Sequence, residues 1–268
     1  MTNERYDVRQ LVRPRTDKRG RLLGGFESLS AARHENQHRI LVLRSSGDPK
    51  ALLVAEVLAA CRPANPCGSL ACSECGRIRR IKESRASLRF LDVYPPDELR
   101  LLTLINPVDA RRAGQLHTFD PALAINRTRR QLERAGIDKS ASFSIGQIDG
   151  EWDEGRHLYQ PHLHAIALGV DQTALKTLVE KWPRARRVRS RKRLEPIDDL
   201  PRVVAYLDKT FWPSVARKNN PLGIHPHQKH RPPKDIEVEI LIWMNSHKSN
   251  ELLMLFAVKN YQATFVKS

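Results

Sequence analysis

The chain predicts an α+β fold: a central antiparallel sheet covered by helices, preceded by a small region built on four cysteines. Three observations carry that expectation. Elements follow in the order strand, helix, hairpin, helix, basic segment, helix, which suits an antiparallel sheet covered by helices on one face. Two strand-like runs, Ala141 to Glu151 and Leu158 to Gly169, are separated only by a polar, Gly-containing stretch, the mark of an antiparallel hairpin. All four cysteines fall between Cys61 and Cys75. At 268 residues the chain makes one large domain or two small ones, and 40% hydrophobic residues can build a core, which excludes wholesale disorder.

Each element has a local reason. Residues 1–48 are polar and basic with few periodic signals, so a portion of them is expected to be loosely ordered. Residues 49–60 read as a helix with Asp48 as its N-cap. The cysteine region runs to about residue 80, and Arg77 to Arg85 places five basic residues on a short helix. That helix face either touches phosphate or is simply solvated. Residues 88–107 hold strand-like text, with Leu99 to Ile105 as a buried strand ended by Asn106 and Pro107. Residues 120–135 form a helix with Asp120 as cap, Pro121 in its first position and Gly136 behind it. After the hairpin, residues 171–182 form a capped helix stopped by Pro183, and residues 199–212 form another. Residues 217–235 are rich in Pro, Lys and His and read as a linker, while 236–245 and 251–267 are apolar enough to pack back on the core. The expected division is therefore 1–87, a basic N-terminal region with the cysteines at 61–75; 88–215, the α+β domain; and 216–268, a linker and C-terminal segment.

Charge narrows the partners. Lys and Arg number 46 against 30 Asp and Glu, a net charge of +16, which favours polyanions, nucleic acid before all. Acidic lipid is the second choice, but no long basic amphipathic helix supports it. The longest apolar run, Ala51 to Ala60, contains Glu56 and is half the roughly 20 residues that a membrane span needs. The start MTNERYDVRQ lacks the apolar stretch of a secretory signal, so a cytoplasmic protein is expected.

Cys61, Cys67, Cys72 and Cys75 follow the spacing C-x5-C-x4-C-x2-C. Four thiolates close a tetrahedral Zn²⁺ site and leave no open position, so the expected metal is structural; His34 or His38 replacing one cysteine stays open. Gly68 and Gly76 each follow a cysteine and are expected to help the chain turn around the ion.

A second constellation carries chemistry. His162 and His164 flank Leu163 in QPHLHAIALG, so on a strand both imidazoles face one side. With the hairpin centred near Gly155 and Arg156, Asp149 lies opposite His162 and Gln147 opposite His164. Asp149 is the expected third ligand, with Gln147 or Glu151 as alternatives, and such a set suits Mn²⁺ or Mg²⁺. Tyr206 and Lys209 lie three apart in DLPRVVAYLDKTFW and are expected to share a helix face. A tyrosine oxygen attacks phosphorus well when a cation stabilises its developing charge. Between them lies a basic strip, Arg184, Arg186, Arg187, Arg189, Arg191, Lys192 and Arg193, able to hold a DNA backbone. A second H-x-H, His225 and His227, has Pro226 at its centre and is set aside as a metal site.

In this order the motifs resemble those of rolling-circle replication initiators of plasmids and phages, within the HUH endonuclease superfamily. LRLLTLINP at 99–107 looks like the first motif, PHLHAIAL with His162 and His164 like the second, and AYLDK with Tyr206 and Lys209 like the third. The resemblance covers roughly 60–212 and makes 88–215 an HUH nicking-joining domain. It implies that Tyr206 attacks a phosphodiester of single-stranded origin DNA, leaving a 5′-phosphotyrosine and a 3′-OH that primes synthesis. It further implies Mn²⁺ or Mg²⁺ on His162 and His164, Lys209 beside the phosphate, and a host helicase and DNA polymerase as partners. The third motif holds one tyrosine, so termination requires a second subunit, hence a homodimer, or another nucleophile. A transposase or mobilisation relaxase would share this chemistry; a non-catalytic zinc-knuckle nucleic-acid binder is the rival from another class.

Overall fold

The structure, a computed structural model, describes residues 27–180, 192–209, 211–215, 229–261 and 264–267. It is α+β, with a mainly antiparallel sheet. Three helices lead: α1 (Leu29–Arg44), α2 (Pro49–Ala59) and α3 (Ser73–Leu91). Then come β1 (Arg100–Leu104), the two-residue β2 (Arg111–Arg112), α4 (Pro121–Arg134), and the long hairpin strands β3 (Phe143–Asp153) and β4 (Leu158–Leu168). The chain continues through α5 (Gln172–Glu180), β5 (Lys192–Pro196), α6 (Leu200–Leu207), β6 (Ser214–Val215), β7 (Lys229–His230), α7 (Lys234–Asn245) and the short α8 (Ser249–Leu252). It finishes with β8 (Leu253–Phe256), β9 (Val258–Tyr261) and β10 (Thr264–Lys267).

The caps are where the residue types place them. Asp48 accepts from the Lys50 N–H and Asp120 from that of Leu123, with Pro49 and Pro121 in the first helical positions, where no N–H is needed. Gly136, at φ +74°, turns the chain out of α4.

The sheet runs β5-β1-β4-β3-β6-β7, with β2 also on β4 and β8 also on β3; among the described residues only the β3–β6 pairing is parallel. Asp149 stands opposite His162 and Gln147 opposite His164, the register expected from the hairpin centre. Side chains alternate between two cores. Ile148, Leu163, Ala165 and Ala167 point to a core shared with α2, α4, α5 and α7. Phe143, Ile145, Ile166 and Leu168 point to the other, shared with α3, α6 and Phe265 of β10. Helices thus cover both faces, where the order of elements suggested one; the continuously buried β4 is the reason, since each of its sides needs an apolar partner.

Other boundaries move as well. Residues 29–44 form a regular helix rather than loose chain, held by Arg39, which is buried and bonded to Glu35 and to the Ala71 carbonyl. The short basic helix belongs to the 19-residue α3, which takes in residues 88–91 that read as strand, so the expected boundary at 87/88 falls inside a helix. Of its basic residues Arg80 is structural: buried, it pairs with Glu27 and donates to the Ala205 carbonyl at 2.9 Å. Ser84, one turn on, donates to Asp208 at 2.9 Å, so α3 grips α6 and the residue after it. The C-terminal segment is built into the sheet through β8, which pairs with β3 from Ser144 to Gln147. Among the described residues, no helix is long and apolar enough to cross a membrane.

Candidate active site

Among the described residues, two clusters can hold metal. In the first, the four cysteine sulfurs lie within 4.8 Å of one another. Cys61 and Cys75 are 3.5 Å apart, Cys67 and Cys75 3.7 Å, and Cys61 and Cys72 3.7 Å. A tetrahedral zinc with bonds of about 2.3 Å spaces its sulfurs at about 3.8 Å, so these four fit a structural metal such as zinc. Burial pushes the Cys67 thiol up to about 11 and raises Cys72 too, with the neighbouring sulfurs adding to the effect. Thiols so packed ionise together only around a cation. Cys72 is also the N-cap of α3, its sulfur accepting from the Cys75 N–H, so the cluster sits at the head of that helix. Gly68, at φ +71°, makes a turn that a side chain would strain, whereas Gly76 is an ordinary helical residue of α3. His38 is engaged elsewhere, with Glu237 at 3.3 Å.

In the second cluster, Asp149, His162 and His164 bring one ligand atom each within 4.8 Å, all three residues buried. Asp149 Oδ2 lies 3.4 Å from His162 Nε2 and 3.6 Å from His164 Nε2. The other nitrogen of each ring is held from behind. His162 Nδ1 is 2.8 Å from the Gln160 carbonyl, to which it must donate, so in the neutral ring Nε2 carries the lone pair. His164 Nδ1 is 2.9 Å from Thr103 Oγ1, and Thr103 is its direct partner across the β1–β4 ladder. With the threonine oxygen as acceptor, the lone pair of a neutral His164 ring sits on Nε2 as well, and the Tyr206 hydroxyl lies 3.4 Å from that nitrogen. Two lone-pair nitrogens and a carboxylate converging on one point fit a divalent cation.

Lys209 meets Asp149 Oδ2 in a close ion pair, its side chain buried. Burial opposes both charges, but each outweighs it for the other: Lys209 holds the Asp149 carboxyl well below its ordinary range, and Asp149 raises Lys209. The Lys209 ammonium also sits 5.0 Å from the centre of the Tyr206 ring. Lys209 does not share a helix face with Tyr206, as its spacing suggested. The helix ends at Leu207 with Asp208 as C-cap, and Lys209 swings into the site from the chain beyond.

That swing has a visible cause. Past α6 the chain crosses the edge of β3 to form β6 beside Trp152 and Asp153, and on the way Trp212 lies against Gly150. A Cβ at Gly150 would stand 2.4 Å from the indole, so only glycine allows the approach.

The alternatives to Asp149 point elsewhere. The Gln147 amide donates to Glu83 of α3 at 3.3 Å, and Glu151 is outside the cluster, adding only negative potential at Lys209. Of the basic strip, Arg184, Arg186, Arg187, Arg189 and Arg191 lie outside the described residues, as do His225 and His227. Lys192 and Arg193 belong to β5, at one end of the sheet. Arg193, exposed and paired with Glu195 at 2.8 Å, stands opposite Thr103. Arg193, Thr103, His164 and Gln147 thus form one row across four strands, on one face. Thr103, like Gln160 and Gly150, is missed from sequence; its signal is an uncharged polar residue inside the apolar run LRLLTLI.

No family model matches the chain, and comparison with curated proteins and with solved structures finds no match either.

Proposed function

We propose that the chain is a single-tyrosine nicking-joining enzyme of the HUH kind, acting on single-stranded origin DNA to start rolling-circle replication. The observation that carries this reading is the convergence of Tyr206 and Lys209 on the Asp149–His162–His164 cluster, from separate elements. A bound Mn²⁺ or Mg²⁺ would be held by those three residues and would polarise a phosphoryl oxygen. Tyr206 Oη supplies the nucleophile: its bond to phosphorus forms as the bond to the 3′ oxygen breaks, and the phenol loses the proton that the new 3′-OH gains. Lys209, fixed by Asp149, supplies positive charge where the phosphoryl oxygens and phenolate develop negative charge. Thr103 and the Gln160 carbonyl keep the imidazoles aimed. The same chemistry would serve a transposase or relaxase; the cysteine region ahead of the first motif favours an initiator. The net charge of +16 supplies general affinity for the strand.

The test is covalent capture. The protein is mixed with fluorescent single-stranded oligonucleotides tiling the replicon that encodes it, with Mn²⁺ added or withheld, and run on a denaturing protein gel. A labelled band that requires Mn²⁺ and is lost in Tyr206→Phe, while that variant binds DNA as before, is the expected result. Salt-sensitive binding without any such band would leave a nucleic-acid binder and end this proposal.

A further inference from the structure

The row Arg193–Thr103–His164–Gln147 continues into Leu253 of β8, and there the sheet face opens into a cavity of about 550 Å³. That volume lies within the roughly 300–1,000 Å³ of clefts that hold small molecules. The cavity begins one strand beyond His164, about 5 Å away across the ladder. Its deep wall is apolar, with Val204 of α6 and Phe265 of β10. Gln147 and Asn260 bring amide groups to its lining. Arg79 and Lys82 of α3 line it too, Arg79 paired with Glu83 at 3.8 Å, and Gly68 and Cys75 form the part nearest the four-cysteine cluster.

We infer that this cavity is a socket for one unstacked nucleobase of the strand whose phosphate lies at the Asp149–His162–His164 cluster. The inference rests on the proposed nicking function and adds the site's means of reading sequence. Apolar walls suit the flat face of a base, amides suit its hydrogen-bonding edge, and Lys82 suits a neighbouring phosphate. Besides capping α3, the four-cysteine region then shapes the wall against which the base is held.

The test uses the full chain carrying Tyr206→Phe, without added Mn²⁺, so that no cleavage occurs. Fluorescence anisotropy compares decamers of dT, dA and dC with a decamer of abasic residues. The expected result is that at least one base-bearing decamer binds about fivefold or more tighter than the abasic one, the gain typical of one stacked base. Val204→Trp, which fills the cavity, should bring that decamer to the abasic value. Equal binding of all four decamers, or an advantage that survives in a folded Val204→Trp protein, overturns the inference. If Val204→Trp fails to fold, Asn260→Ala, at an exposed position of the lining, decides: the ratio among the three bases should change at least threefold, and an unchanged ratio overturns the socket. Failure of the nicking reading shows separately, as a missing covalent band in the Tyr206-containing protein.

Discussion

Thr103 and Gly150 show how much of the candidate site depends on residues that carry no charge. The Thr103 hydroxyl fixes the ring of His164 through Nδ1. Thr103→Val keeps the strand's shape and removes that partner, so adduct yield at low Mn²⁺ should fall about 10–100-fold, the usual cost of losing an outer partner of a metal ligand. Added Mn²⁺ should restore much of it, and Thr103→Ser should behave as the parent; a Mn²⁺ titration of the covalent band reads all three. Gly150→Ala drives a methyl into the indole of Trp212. The overpacking should cost about 1–3 kcal/mol in urea unfolding. Because Trp212 anchors the crossing that delivers Lys209, adduct formation should drop further than the lost stability explains, with Gly150→Ser equally impaired.

At the scale of elements, the four-cysteine cluster and α3 act together, since Cys72 is both a candidate ligand and the helix cap. Replacing Cys72 and Cys75 by serine should abolish bound zinc by elemental analysis. Serine is itself a preferred N-cap, so the helix cap is kept, and a melting temperature lowered by more than roughly 2–4 °C, the equivalent of about 1 kcal/mol, reports the lost metal. Unchanged melting with no zinc in either protein would remove the structural-metal assignment. The hairpin was legible because a short polar, Gly-containing turn separates two strand-like runs, and two of the capped helices because the pairs Asp48-Pro49 and Asp120-Pro121 announce them. Two helices were not legible as they stand, for one physical reason. In α1 and α3 the inward positions are partly polar: Glu35, Asn36 and Arg39 in one, Arg80 and Ser84 in the other. An apolar period cannot reveal a helix that buries its charges in pairs. The place of β8 beside β3 was hidden too, since strand pairing over a hundred residues of chain leaves no local trace. Within the site, His162, His164, Asp149 and Tyr206 could be read from spacing; Lys209 could be named, but its route from beyond the helix end could not.

Across the whole molecule, the contact of α3 with α6 sets a pH response. Asp208 is buried, which together with the charge of Glu83 pushes its carboxyl up to about 8, against the pull of Ser84 and of Arg80 and Arg79. The native protein therefore keeps a proton that the unfolded chain sheds above about pH 4. The stabilisation is complete below that pH and declines as pH rises toward 8, by at most about 1.4 kcal/mol per pH unit. Asp208→Asn lacks this group, so its melting temperature should gain on the parent's steadily between pH 5 and 8; a constant gap would refute the assignment. The same contact bears on how the protein can be divided. Arg80 holds the Ala205 carbonyl and Ser84 holds Asp208, the residues just before Tyr206 and just before Lys209. Arg80 in turn is neutralised by Glu27, ahead of every motif. The placement of Tyr206 therefore depends on a helix more than a hundred positions upstream. A fragment trimmed to the three motifs would keep Tyr206, Lys209 and the Asp149–His162–His164 cluster and lose the frame that places them, so a fragment that keeps this frame has to include Glu27.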